Sequence, residues 1–384
     1  MVKNKTEKKK TQWGTMFFVI GCSAIVGLSM GFISGAVLET HTNELDLIVL
    51  IMGFIVFFIS YFIHILFHEA GHLIFGLLTG YTFVSFRIGS LTLIKEEGTI
   101  KRKRMNLPGT GGQCLMSTPD YKNGQFPFIL YNLGGVLLNM LFSLIAIGIV
   151  LNNPFLSSIT ILLLSVFALA GLFTALTNGI PMKIGGMPND GYNLYLMLKG
   201  KENKYAFFMQ LKMNALMTQG KRLRDIPLKT IHLEGKQDFS NPLKVSMYLM
   251  EFNWYLDQLN FDKASTHLAA FEPHAEHLPA VFKNELDCER LFLELIQEAD
   301  PFRVKNLYTK ELQKYIKVTT YLPNKKRLMM AYEAFHQKNH QQAMEYYNQL
   351  LKTAAMYPVK GEAEMEIMLG DWIKEKILTR TVVE

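Results

Sequence analysis

The chain has 384 residues, 49% of them hydrophobic, and a formal net charge of +7 from 40 Lys and Arg against 33 Asp and Glu. Its three cysteines, Cys22, Cys114 and Cys288, are far apart and show no CxxC spacing, which argues against a disulfide framework or a cysteine zinc site. The positive excess sits beside apolar runs with no nucleic-acid recognition motif, so nucleic acid is not an expected partner.

Taken in chain order, Lys3, Lys5, Lys8, Lys9 and Lys10 precede an apolar stretch over residues 13–38. That stretch exceeds the apolar core of a signal peptide, about 7–15 residues, and reads as a retained span. Further runs over 47–78, 126–151 and 155–178 are long enough for a hydrocarbon core, which needs about 20 residues. The pattern predicts about four transmembrane helices within residues 1–200. Loop charges agree on one topology. The basic tail lies inside, and the loop with Glu39, Glu44 and Asp46 lies outside. The segment with Arg87, Lys95, Lys101, Arg102, Lys103, Arg104 and Lys122 lies inside, and the uncharged Asn152-Asn153-Pro154 turn lies outside. Both termini are then cytoplasmic. The Lys-, Asn- and Met-rich style suggests a bacterial cell membrane.

Residues 81–116 alternate apolar and polar side chains between glycines and read as a membrane-associated β-hairpin or small sheet. Composition changes near Lys199–Lys204, and residues 201–384 read as a cytoplasmic helical domain. Helices over 243–256 and 261–271 meet at Asn260, and helices over 326–336 and 341–353 meet at Asn339. A last helix covers about 363–378. The paired pattern resembles tetratricopeptide repeats and implies an α-solenoid-like domain, the alternative being an irregular helical bundle. The expected fold is therefore mainly α: a polytopic membrane domain followed by a helical one.

The chemistry concentrates in His68-Glu69-Ala70-Gly71-His72. On a helix, positions i and i+4 share a face, so both imidazoles can reach one zinc ion while Glu69 stands ready to deprotonate a bound water. The bare pattern occurs by chance in soluble proteins. Here it interrupts a membrane-length apolar run, where each ionisable group costs of order 2.5–3.5 kcal/mol, and metal ligation gives a reason for three of them. His64, one turn earlier, reads as a histidine lining the site or an alternate ligand. A catalytic zinc takes a third protein ligand. Asp190, in Met187-Pro188-Asn189-Asp190-Gly191 after the last span, is the candidate; it can also cap a helix starting at Gly191.

These motifs together resemble the site-2 protease family of intramembrane zinc metalloproteases. His68-Glu69-Ala70-Gly71-His72, then Asn178-Gly179-Ile180-Pro181, then Asp190-Gly191 follow the family order. Gly112-Gln113-Cys114 resembles its glycine-led segment near the active site, and Gly135-x-x-x-Asn139 a further element. The resemblance covers about residues 45–200. It implies one zinc ion on His68, His72 and Asp190, Glu69 as general base, and Asn139 and Asn178 facing the substrate or the site. Implied substrates are membrane-spanning segments or hydrophobic leader peptides. The interval from Pro181 to Asp190 is longer than the family's compact spacing, so this loop must fold back. The helical domain would recruit substrate, bind a protein or peptide partner, or act as a stabilising cap. The alternative from another class is a non-catalytic zinc-binding membrane receptor or scaffold.

Overall fold

The computed structural model describes residues 21, 27, 45–104, 111–184, 186–234 and 238–381. The expected first span over 13–38 and the lysines before it lie outside the described residues, Gly21 and Gly27 aside. The chain divides into two compact units: Met1–Ile88 with Gly109–Gly200, and Gly89–Pro108 with Lys201–Glu384.

Three long helices, α1 (Leu45–Leu78), α2 (Phe128–Asn152) and α3 (Ser158–Gly179), pack against one another in the first unit. Their interiors lack proline, which lets the apolar runs continue unbroken. Pro127 stands just before α2, and the Ser157 side chain caps α3 by accepting from the Thr160 N–H. Three segments, Ile51–Leu78, Phe128–Asn152 and Ser158–Gly179, are long and apolar enough to cross a membrane. Their outward faces are rows of large apolar side chains, including Phe54, Phe58 and Phe62 on α1 and Leu141, Leu144 and Ile145 on α2. Such a surface suits lipid and would aggregate in water. Inside, the hydroxyls of Ser143, Thr174 and Thr177 each donate to the carbonyl four residues back, so no polar atom of theirs faces the bilayer. Gly71 of α1 and Gly134 of α2 meet backbone to backbone, an approach that a β-carbon at either position would block.

Four strands follow α1 in sequence: β1 (Thr82–Ile88), β2 (Leu91–Glu96), β3 (Thr99–Arg104) and β4 (Gly112–Ser117). In the first unit β1 pairs antiparallel with β4, Phe86 opposite Cys114 and Ile88 opposite Gly112, with an irregularity between Phe83 and Ser85. After α3 the chain forms a two-residue hairpin, Lys183–Ile184 against Met187–Pro188, and enters α4 (Asp190–Leu198), which packs on α2 and α3.

The second unit begins with β2 and β3, paired from Leu91 opposite Arg104 to Glu96 opposite Thr99. The basic run Lys101–Arg104, within the β region expected over 81–116, is strand. Lys101 and Lys103, two apart on one face, both pair with buried Glu96. The Lys360 ammonium joins them at 3.4 Å from Glu96. The rest of the unit is helical: α5 (Lys201–Thr218), α6 (Pro242–Asp257), α7 (Phe261–Ala269), α8 (Ala280–Gln297), α9 (Lys310–Val318), α10 (Pro323–Ala331), α11 (His340–Met356) and α12 (Lys360–Thr381), with shorter turns between. Asn260 and Asn339 stand at the expected turns as side-chain caps of α7 and α11. The helix expected over 326–336 begins earlier and ends at Ala331, where the backbone widens into a π turn over Tyr332–His336. Phe252, Phe271, Leu291, Phe292, Leu328 and Ile373 are among the buried side chains of its core.

Two carboxyls give this unit opposed pH responses. Burial raises Glu96, but Lys103, Lys101 and Lys360 outweigh it and hold the carboxyl at about 2. Its contribution is complete above the ordinary 4.5 and is lost as pH falls toward about 2. Glu362 is pushed up to about 7 by burial, by Glu366 and by Glu285. Its contribution is complete below 4.5 and is lost as pH rises through about 7. Glu362→Gln is therefore expected to raise the melting temperature of the full chain at pH 8 and to leave it unchanged near pH 4.5. Equal shifts at both pH values would overturn this account.

Candidate metal centre

The helical period of α1 puts His68 and His72 on one face, with Glu69 adjoining them. In the structure the two Nε2 atoms lie 3.2 Å apart, and their ring centroids are 4.7 Å apart. Asp190, first residue of α4, brings Oδ2 to 2.9 Å from His68 Nε2 and 3.4 Å from His72 Nε2. One ligand atom from each of His68, His72 and Asp190 lies within 4.8 Å of the other two, an arrangement that could hold a metal ion. Counting about 1.5 Å per residue, the histidine pair lies roughly 9–15 Å from the end of α1 at Leu78, inside the membrane-length segment but near one end.

The donor set, two imidazole nitrogens and one carboxylate oxygen, is of a kind that binds zinc. His72 Nδ1 donates to the Tyr131 carbonyl at 2.7 Å, which turns Nε2 toward Asp190. Burial alone would raise the Asp190 carboxyl, but His72 and His68 beside it hold it well below the usual carboxylate range.

Asp190 does not cap its helix, contrary to one of the two roles expected for it. Asn189 does so, its Oδ1 accepting from the Tyr192 N–H at 2.9 Å. The same Asn189 side chain accepts from the Met182 N–H and donates to the carbonyls of Thr177 and Ile180. These bonds fold the long Pro181–Asp190 interval back on the end of α3. Gly191 completes the turn by lying against the Gly179 carbonyl, where any side chain would collide.

Glu69 is buried, at 8% exposure, and accepts from the Cys114 backbone N–H on β4. Gly112 sits directly over it; a β-carbon there would stand 2.6 Å from Glu69 Cγ. The Gly112 carbonyl in turn accepts from buried Arg87 at 3.1 Å. Tyr131 ties the pieces together. Its carbonyl orients His72, and its hydroxyl donates to the Cys114 carbonyl at 3.0 Å.

His64 and Asn139 lie one step behind His68 and are fully buried, each at 0% exposure. Asn178 is placed differently from the position implied for it. Its amide donates to the Thr174 carbonyl on its own helix at 3.0 Å, and no contact brings it to His68, His72 or Asp190. Sequence reasoning passed over Asn189, Tyr131 and Arg87 as site residues, and took Gly135 only as the start of the Gly135-x-x-x-Asn139 element. Gly135 is required because the His68 ring fills the place of its side chain. The asparagine-before-aspartate order was the available signal for Asn189; Tyr131 acts through a backbone carbonyl, which no side-chain pattern reveals.

Comparison of the chain with protein-family models, with curated proteins and with solved structures finds no match.

Proposed function

We propose that this protein is an intramembrane zinc metalloprotease, hydrolysing peptide bonds in membrane-embedded segments or hydrophobic leader peptides. The supporting observation is the convergence of His68, His72 and Asp190 beside a buried Glu69 within a membrane-length apolar helix. His68, His72 and Asp190 would hold one zinc ion. When bound, the ion supplies a Lewis acid for the scissile carbonyl and an acidified water. Glu69 takes the proton of the attacking water and returns it to the leaving amine.

A peptide bond inside a helix is shielded by its own backbone, so the substrate must arrive extended. Strand β4 ends its sheet, with β1 as its one paired neighbour, and it carries the Cys114 N–H that contacts Glu69. An unwound substrate segment added along this edge would run past the general base. The remainder of the reading follows from the loop charges and the helical pattern: a fourth span over 13–38, both termini in the cytoplasm of a bacterial cell, and a repeat-like second unit that recruits substrate or a partner.

Metal content is the direct test. Full-length protein purified in detergent is expected to carry one zinc per chain, to lose cleavage when a chelator strips the metal, and to regain it when zinc is restored. His68→Ala and His72→Ala are expected to reduce zinc content to background. Wild-type protein with no more zinc than these variants would overturn the proposal. Stoichiometric zinc without cleavage of any membrane-embedded peptide would favour a zinc-binding receptor or scaffold.

A further inference from the structure

A cleft of about 240 Å³ lies wholly within the second unit, lined chiefly by α5, α6 and α12. Gln210 and Asn214 line it from α5, one turn apart and so on one face. Asn253 lines it from α6, which packs against α5. The three side chains are half-buried, and among the described residues none of them has a hydrogen-bond partner.

The other polar groups of the lining differ. Asp257 is fully buried and already bound, by the Arg222 guanidinium and by the Arg224 N–H at 2.8 Å. The Ser246 hydroxyl donates to the Pro242 carbonyl at 3.0 Å. Glu362 on α12 has a carboxyl with capacity to spare. Its one hydrogen bond among the described residues comes from the Tyr357 hydroxyl at 3.4 Å. Apolar surface is supplied by Met217, Met250 and Met365, with Phe282 from α8.

These groups narrow the ligand. An anion would meet Glu362 with no Lys, Arg or His among the described residues of the lining to answer its charge. A sugar or a base needs rings to stack on, and Phe282 is the one aromatic side chain of that lining. A carboxamide holds a donor and an acceptor side by side, the complement of a peptide group. Three such groups with nothing else to bond suit a chain whose own N–H and C=O groups are unpaired, which is an extended peptide. Methionines repack around side chains of varied shape, and Glu362 favours a positive charge beside them.

We infer that this cleft binds an extended peptide segment in which Lys or Arg adjoins apolar residues, its backbone bonded by Gln210, Asn214 and Asn253 and its cation facing Glu362. A hydrophobic leader peptide has this composition, with basic residues before the apolar run, and so has the cytoplasmic end of a membrane span. Taking the bound peptide as substrate rests on the protease reading above; binding in the cleft does not.

The test uses full-length protein in detergent micelles, stripped of metal by a chelator so that cleavage does not consume the probe. It is run at pH 8, where the Glu362 carboxyl, pushed up to about 7, is ionised. The probe is a short fluorescein-labelled peptide of alanines and leucines led by lysines, and its companion has glutamates in place of the lysines. Fluorescence anisotropy is read against each peptide in empty micelles. Wild-type protein is expected to bind the lysine peptide about tenfold more tightly than the glutamate peptide. Asn214→Ala combined with Asn253→Ala is expected to weaken the lysine peptide by about tenfold or more. Glu362→Gln is expected to remove most of the preference for lysine. That variant, expected above to melt higher than wild type at pH 8, keeps the test decisive if the double variant does not fold. Wild-type affinity in the double variant, or equal binding of the two peptides by wild-type protein, would overturn the inference. Such a failure in a protein that holds zinc and cleaves leaves the protease reading standing. The expected binding in a protein that takes up no zinc would sink that reading and keep the peptide site.

Discussion

Glu69→Gln is expected to lower peptide-bond cleavage by about a thousandfold or more while zinc content and melting temperature stay at wild-type values. The two side chains have the same shape, and the site tolerates that shape alone. Gly112 lies over Glu69 so closely that the side chain has little freedom. The Cys114 N–H that bonds the carboxylate can bond the amide oxygen equally. What glutamine cannot do is accept a proton from water and hand it on. General acid–base groups contribute roughly 10²–10⁴-fold, and in the proposed cycle this one would serve both transfers. Cleavage is read with a membrane-embedded peptide in detergent or liposomes. Turnover by the Gln variant at the wild-type rate would sink the assignment of the base.

Arg327→Leu is expected to destabilise the helical unit by about 3–5 kcal/mol. Arg327 on α10 is 1% exposed, and its guanidinium lies over the Phe292 ring. Nε donates to Glu366 at 2.6 Å, and Nη2 donates to both oxygens of Glu289, at 2.7 and 2.9 Å. Removing the cation leaves two carboxylates facing each other in the core. The loss measured is the penalty of those stranded charges more than the worth of the pair. Urea unfolding of the full chain, followed by far-ultraviolet circular dichroism, reads it as a shifted transition. Arg327→Leu combined with Glu289→Leu and Glu366→Leu is expected to recover most of the loss. A triple variant as unstable as the single one would show that packing, and not charge, carries the effect.

The sequence was most informative where chemistry is local. His68, Glu69 and His72 lie within five residues, and one helical period places them together. The apolar runs foretold α1, α2 and α3 because a span must satisfy its backbone internally. The caps Asn260 and Asn339 were readable because capping is a contact with the next turn of the same chain. Asp190 was readable as a carboxylate in a turn-rich segment. Its place as a third ligand was proposed from its position after the last span, but the bonds that bring it there were not legible, since Asn189 makes them to carbonyls at and just past the end of α3. The charged run Lys101–Arg104 fell inside the β region expected over 81–116, but nothing in its charges foretold that Lys101 and Lys103 would both pair with buried Glu96. The cluster of Arg327, Glu289 and Glu366 was equally hidden, because each residue reads as an ordinary solvated charge until three helices meet. Asn178 shows the reverse case: a motif position whose side chain turns back on its own helix.

The contact between Gly71 and Gly134 has a mechanical consequence. Gly71 sits between the two histidines in sequence, so the point where the α1 and α2 backbones touch is also the pivot of the ligand pair. The absence of side chains at both positions lets the two backbones approach this closely, and a β-carbon at either would push α1 and α2 apart at the level of the histidines. The close approach thus seats the histidine pair of α1 against α2, which also carries Asn139 and Tyr131, so the spacing between these side chains depends on two missing β-carbons.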